Sequence, residues 1–165
     1  MKEVSFKDFD ILSEQEKSEA LALLHRYDQI DKQDSCQKDF ISFVKHLWPE
    51  FIEGRHHKII GDKFNKIAQG KLKRLIVCLP PRHSKSEFAS TYFPAWMMGK
   101  RGDLKIIQTT HTAELAVRFG RKVRNIIDSD EYQHIFPELK LQADNKSAGR
   151  WTTNQEGESF YAGVG

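Results

Sequence analysis

The residues best equipped for chemistry lie in one turn, Leu79-Pro80-Pro81-Arg82-His83-Ser84-Lys85-Ser86, between the apolar run LIVCL at 75–79 and a helical stretch. An anion-binding loop belongs at such a junction, because the first N–H groups of a helix lack intrahelical partners and its dipole favours negative charge. Laid on G-x-x-x-x-G-K-[ST], Lys85 and Ser86 match, whereas Leu79 and Ser84 stand where the motif has glycines. In that motif the lysine neutralises β- and γ-phosphate charge, the hydroxyl ligates Mg²⁺ and backbone N–H groups cradle the anion. Ser84 takes positive φ less readily than glycine does. The competing reading is a basic strand-to-helix turn in which Ser84 caps the helix.

Other candidates carry weaker signals. His56 and His57 are adjacent on a helix and therefore point to different faces, which argues against a joint metal site and for a surface pair. His83 reads as a solvent-facing loop residue. Glu87 falls in a first helical turn, where a carboxylate suits the dipole without any catalytic role. Arg118, Arg121, Lys122 and Arg124 form a basic run on a helix, either a contact for DNA or a neighbouring subunit's phosphate, or a solvated face. Gln108, Thr109, Thr110 and His111 end a strand at the edge where doubly wound sheets bind ligands, although Thr112 as an N-cap accounts for part of that cluster. Cys36 and Cys78 lack metal-ligand spacing, and Cys78 inside an apolar run reads as a buried free thiol.

These residues need positioning elements, and the pattern supplies them. Ser13 with Glu16 has capping-box spacing, and Ala20, Leu21, Leu23, Leu24 and Tyr27 recur helically, so 14–30 reads as an amphipathic helix broken by DKQDS at 31–35. Phe40, Ile41, Val44, Leu47 and Trp48 mark a second helix stopped by Pro49, and a third runs from about His56 to Gln69, burying Ile59, Ile60, Phe64 and Ile67 before Gly70. The run 75–79 is apolar at every position and reads as a strand buried on both faces. A helix over 85–98, kinked or shortened at Pro94, a strand over 104–109 and a helix over 112–128 continue an α/β grammar. WTTNQ and SFYAGV around Gly157 predict an antiparallel hairpin.

Charge is segregated along the 165 residues. Residues 1–54 hold 7 basic and 12 acidic side chains, 55–126 hold 16 and 4, and 127–165 hold 3 and 7. The central excess of +12 points to a polyanion partner such as nucleotide phosphate or a nucleic-acid backbone. No stretch has the 18 or more consecutive apolar residues of a membrane span, and the start, MKEVSFKDFD, lacks the basic-then-apolar order of a secretory leader.

From about Phe43 onward the chain resembles the N-terminal ATPase domain of viral large terminase subunits, the motors that pump DNA into phage capsids. The similarity lies in WPEF at 48–51, HHKII at 56–60, RLIVCLPPRHSKSE at 74–87, FPAWMMG at 93–99, AELAVRFGRKVRNII at 113–127, EYQHIFP at 131–137 and GRWTTN at 149–154, in that order. This resemblance implies an α/β fold with a P-loop NTPase-type parallel sheet flanked by helices, incomplete here, with N-terminal helices and a C-terminal β-hairpin. It divides the chain into a helical appendage, 1–35, and a partial ATPase domain, 36–165. It implies ATP and Mg²⁺ as cofactors, with Pro81, Arg82, His83, Ser84, Lys85 and Ser86 around the nucleotide, Ser86 on the metal and Arg82 contacting the γ-phosphate during hydrolysis. The 56–60 stretch corresponds to a region where related motors hold the adenine base.

Phosphate-loop motors also need an apolar strand ending in paired acids. The acids after the second strand here, Asp128, Asp130 and Glu131, follow a basic helix instead, and the family's nuclease carboxylates have no counterpart. The chain therefore reads as the front part of a terminase-like ATPase, a truncated product or an excerpt, inactive by itself. In the intact protein the resemblance implies ATP-driven translocation of double-stranded DNA, a homo-oligomeric ring on a capsid portal, a small terminase subunit as partner and the cytoplasm of a bacterial host. The alternatives are a non-catalytic nucleic-acid-binding or interaction fragment and a helicase-like motor fragment.

Overall fold

The computed structural model describes residues 13–147 and 149–165; the leader reading of residues 1–12 lies outside the described residues. Two compact units divide at Asp34 and Ser35. Helix α1, Glu14–Lys38, begins in the first unit. Its predicted capping box is present: the Ser13 N–H and hydroxyl both donate to Glu16 Oε2, at 2.8 and 2.7 Å, and the Glu16 N–H donates to Ser13 Oγ at 3.3 Å. These bonds hold the Glu16 carboxyl below the usual range. Leu21, Leu23, Leu24, Tyr27 and Ile30 are all exposed. The expected break at 31–35 does not occur. Those residues are polar but include no glycine or proline, and Lys32 pairs with Asp28 one turn back at 2.6 Å.

In the second unit, Asp39 ends α1 and caps α2, Phe40–Leu47, accepting the Ser42 N–H at 2.8 Å. Helix α3, Arg55–Ala68, stops at Gly70, whose φ of 72° suits a residue without Cβ. Ile60 and Phe64 are buried, whereas Ile59, expected inside, lies on the solvent side of α3. A continuous helical stretch then comprises α4, Lys85–Glu87, a π-turn, Phe88–Tyr92, and α5, Phe93–Lys100. Pro94 therefore leaves the stretch helical, with its perturbation taken up just upstream. The Phe93 N–H reaches back five residues to the Phe88 carbonyl, and this wider turn accommodates a ring that would clash in a regular helix.

Strand β1, Lys105–Thr110, leads into α6, Ala113–Ile127, which is capped by Thr112 as predicted. The short α7, Asp130–Ile135, uses Asp130 and Glu131 in its first turn. Strands β2, Leu141–Lys146, β3, Arg150–Thr153, and β4, Glu158–Gly163, complete a four-stranded sheet in the order β1-β4-β3-β2. The hairpin β3–β4 is antiparallel as expected. Only β1 and β4 run parallel, so the α/β class holds while the sheet is mixed. Gly157 sits where the β3–β4 turn crosses the 101–104 loop: a Cβ there would clash with the Gly102 carbonyl.

Residues 72–80 form neither helix nor strand and join no ladder among the described residues, with half-buried and exposed side chains alternating along them. The expected strand buried on both faces is thus corrected to a segment with one half-buried side. Leu75, Val77 and Leu79 touch the core, while Ile76 is 89% exposed and Cys78, expected buried, faces solvent. Without a neighbouring strand, nothing covers the alternate side chains. The core beneath is aromatic. Phe40 meets Phe64, Phe88, Phe93 and Trp96 with ring centroids 5.0 to 5.9 Å apart, and the Trp96 Nε1–H donates to the Cys36 carbonyl at 2.8 Å. The Tyr132 hydroxyl donates to the Ala95 carbonyl at 2.8 Å, and burial pushes its phenol well above the usual range.

Candidate functional site

The 80–86 turn hangs from two anchored ends. Upstream, Leu79 is packed on the core; downstream, the fully buried Phe88 is gripped by Phe40, Phe51 and His57. Between them the backbone is strained. Arg82 has φ 63° and Ser84 φ 55°, left-handed values that cost a non-glycine residue about 1–2 kcal/mol each, while His83 between them is not in that region. A right-handed residue next to a left-handed one turns successive N–H groups toward one concavity, an anion-binding nest, and Arg82 and Ser84 supply the left-handed half of that pattern. The N–H groups of Arg82 and Ser84 meet no acceptor among the described residues. Ser84 thus adopts the backbone its glycine-like position demands. It makes no side-chain cap, so the competing helix-cap reading loses its hydrogen bond.

Lys85 and Ser86 open the helix beyond this nest. The Lys85 ammonium donates to the Leu79 carbonyl at 3.3 Å, a long bond across the base of the turn. Pro81, Arg82, His83 and Ser86 are exposed, as an approaching ligand requires, and Ser84 and Lys85 are half-buried. Glu87 is ion-paired with Lys122 of α6, which ties the loop helix to the basic run. That pairing removes Lys122 from the candidate polyanion face and gives Glu87 a role beyond the dipole expected of it.

The histidines behave differently from the expected surface pair. His57 is 6% exposed, and its Nδ1 accepts the Gly54 N–H at 2.9 Å, completing a capping box at the start of α3. An accepting Nδ1 places the single proton of a neutral imidazole on Nε2. Burial first, then the His56 imidazole, lowers the His57 pKa below the usual histidine range, with Glu53 acting in the opposite sense. The ring centroid of His56 lies 3.8 Å from that of His57 and 5.4 Å from that of His83, so three imidazoles run from α3 to the turn. The spacing Gly54-x-x-His57 was the available signal for the cap, obscured because glycine offers no side chain to a capping box.

On α6, Arg118 and Arg121 are exposed and line an open cleft of about 410 Å³ with Ala113, Glu114 and Val117. Arg124 is half-buried and donates to Asn125 Oδ1 at 3.4 Å, so the three arginines do not form one uniform face. At the end of β1, the Thr110 hydroxyl donates to the Thr112 carbonyl at 2.7 Å, and the Gly165 N–H to the His111 carbonyl at 3.1 Å, which gives this cluster a structural use. Among the described residues no group of three or more His, Cys, Asp or Glu is placed to hold a metal ion, and no helix is long and apolar enough to cross a membrane. No protein-family model, curated protein or solved structure matches this chain.

Proposed function

We propose that the 80–86 turn binds the polyphosphate of ATP and that the chain is the front part of a DNA-packaging terminase large subunit. The observation that carries this reading is the turn's backbone: two left-handed residues, Arg82 and Ser84, with N–H groups free of acceptors, immediately before Lys85 and Ser86. Strain at non-glycine residues persists where function or surrounding structure maintains it. The donor set fits the phosphate end of a nucleotide, with an ammonium, an exposed hydroxyl and two N–H groups. Lys85 exchanges its long bond to Leu79 for a phosphate oxygen, Ser86 Oγ is the group to hold Mg²⁺, and Arg82, exposed in the same turn, is the cation to meet transferred charge. Bound Mg²⁺ would supply neutralisation of charge shared by the β- and γ-oxygens.

Translocation of double-stranded DNA, assembly as a ring on a capsid portal, a small-subunit partner and residence in a bacterial cytoplasm belong to this proposal for the intact protein. They are supported by the terminase-like motifs and the basic central segment. A second reading, a non-catalytic nucleic-acid-binding fragment, is favoured by one feature, the exposed Arg118 and Arg121 beside an open cleft. Titration with labelled ATP separates the two. Lys85→Ala removes a charge-assisted contact of roughly 1.5–3 kcal/mol, so affinity falls about tenfold or more. Equal affinity in the two proteins refutes the phosphate-loop reading.

A further inference from the structure

We propose that β1 is a dimerisation edge: two copies of the chain pair their β1 strands antiparallel about a two-fold axis at Ile107, joining their sheets into one. This surface is separate from the 80–86 turn and does not depend on phosphate binding there. The carbonyls of Leu104 and Thr110 accept the N–H groups of Glu158 and Val164 at 2.9 and 3.0 Å, so the even-numbered residues of this stretch turn their backbone groups toward β4. Backbone direction alternates along a strand. Lys105, Ile107 and Thr109 therefore aim N–H and C=O groups at the opposite edge, where no strand lies among the described residues. Another extended backbone matches such a row of donors and acceptors.

The strand's own sequence, KIIQTT, selects a second copy as the occupant. It has no proline and no bulge in its register with β4, and its one charge is Lys105, so little deters pairing. Antiparallel pairing centred on Ile107 sets Lys105 opposite Thr109 of the second copy, which keeps like charges apart and lets all three outward residues exchange bonds. On the solvent face Ile107, 75% exposed, lies in register with Phe160 of β4, 43% exposed, and the two continue into the second copy's Ile107 and Phe160 as one apolar row. Beside β1 an open cleft of about 320 Å³, lined by Phe93, Pro94, Met97, Ile106 and Gln108, has room for the second copy's Ile106, which stands opposite Gln108. A strand about 20 Å long covers on the order of a few hundred Å² against one neighbour, short of the roughly 1,200 Å² of a stable interface. The dimer therefore forms reversibly as concentration rises.

The experiment uses the full chain carrying Cys78→Ser, which leaves the buried Cys36 as its one native thiol. Single cysteines at Ile107 and at Thr109 are treated with dibromobimane, a short thiol-bridging reagent, over a concentration series up to about 1 mM, with sedimentation velocity on the same samples. Ile107→Cys is expected to be bridged between copies increasingly as concentration rises. Thr109→Cys is expected to stay unbridged, because the two Thr109 residues lie about 14 Å apart along the pair, whereas a mixture of Lys105→Cys with Thr109→Cys is bridged. Ile107→Pro removes an outward N–H without touching the β4 ladder, and is expected to weaken dimerisation about tenfold or more while the circular dichroism stays that of wild type. Where the proline variant fails to fold, the cysteine positions decide by themselves. Monomers throughout the series, dimers without bridging at 107, equal bridging at 107 and 109, or dimers that survive a folded Ile107→Pro overturn the inference, and none of these bears on Lys85-dependent ATP binding.

Discussion

Replacing Ser84 by glycine tests the strained turn directly. At φ 55° and ψ 10° the serine Cβ crowds its own backbone, a cost of about 1–2 kcal/mol that glycine does not incur. The Ser84 side chain makes no capping hydrogen bond, so little is lost with it. Against this gain stands the greater freedom glycine adds to the unfolded chain, about 0.4–1 kcal/mol. The difference predicts that Ser84→Gly is stabilised by roughly 0.5–1 kcal/mol, a rise of about 1–4 °C in Tm for a chain of this size. Ser84→Val should do the opposite, because a β-branched residue fits the left-handed region poorly. Thermal unfolding followed by circular dichroism reads both, and labelled ATP reports whether the glycine variant keeps or improves its affinity. A Ser84→Gly protein less stable than wild type, with Ser84→Val unchanged, would show that the turn is not left-handed at this residue and remove the main support for the nest.

Three further outcomes are expected. His57 is held neutral where the unfolded chain takes up a proton, so the unfolded state binds more protons and stability falls as pH drops through the histidine range near 6.5; denaturant midpoints at pH 7.5 and 5.5 should differ more for wild type than for His57→Gln, whose side chain can still serve a capping box. Trp96→Phe strands the Cys36 carbonyl and leaves a void at a fully buried site, and should cost about 2–4 kcal/mol in chemical denaturation. Arg118→Ala with Arg121→Ala should lower the slope of log K for DNA against log salt by up to about 2, whereas Arg124→Ala should change it less; an unchanged slope in the double variant excludes the cleft as a phosphate contact.

What the residues announced in advance depended on whether a signal was local. Caps at Ser13 and Thr112, the stop at Gly70 and the β3–β4 hairpin each follow from a few neighbouring side chains, and each is found where expected. Features decided by distant partners were misread. The C-terminal end of α1 is held by Cys36, whose carbonyl accepts from Trp96 60 residues on, and by Gln37, whose side chain donates to the Ile135 carbonyl at 2.6 Å across 98 residues. The apolar run around Cys78 and the helical spacing of Ile59 both suggest burial, yet which face is covered depends on elements remote in sequence. At the site, Lys85 and Ser86 were visible through spacing. The left-handed Arg82 and the Glu87–Lys122 pair were not, because backbone dihedrals and partners 35 residues apart leave no mark in a motif, and the His57 cap was hidden because its partner Gly54 has no side chain.

The segment 72–80 and strand β1 share a consequence. Among the described residues strand β1 lies at one end of the sheet, so one of its edges carries N–H and C=O groups without a ladder there, and Ile107 on it is 75% exposed. Ile76 is 89% exposed on a segment that pairs with no strand among the described residues. Flat apolar edges of this kind recruit other strands unless a charge, a bulge or a covering element prevents it. Burying two isoleucines contributes roughly 3–6 kcal/mol, and new ladder bonds add about 0.5–1.5 each, against at least about 4 for lost rigid-body freedom. With about four such bonds the balance is about 1–8 kcal/mol, a dissociation constant of roughly micromolar at the tightest and weaker than millimolar at the other end. The chain should therefore self-associate reversibly in sedimentation velocity as its concentration is raised toward about 1 mM. Ile76→Lys with Ile107→Lys should shift it toward monomer without lowering its Tm, since both side chains already face solvent and neither supports the core. If the wild type stays monomeric at about 1 mM, or the double lysine variant associates as strongly as wild type, these two edges are not the adhesive surfaces and the exposure of Ile76 and Ile107 has no such effect.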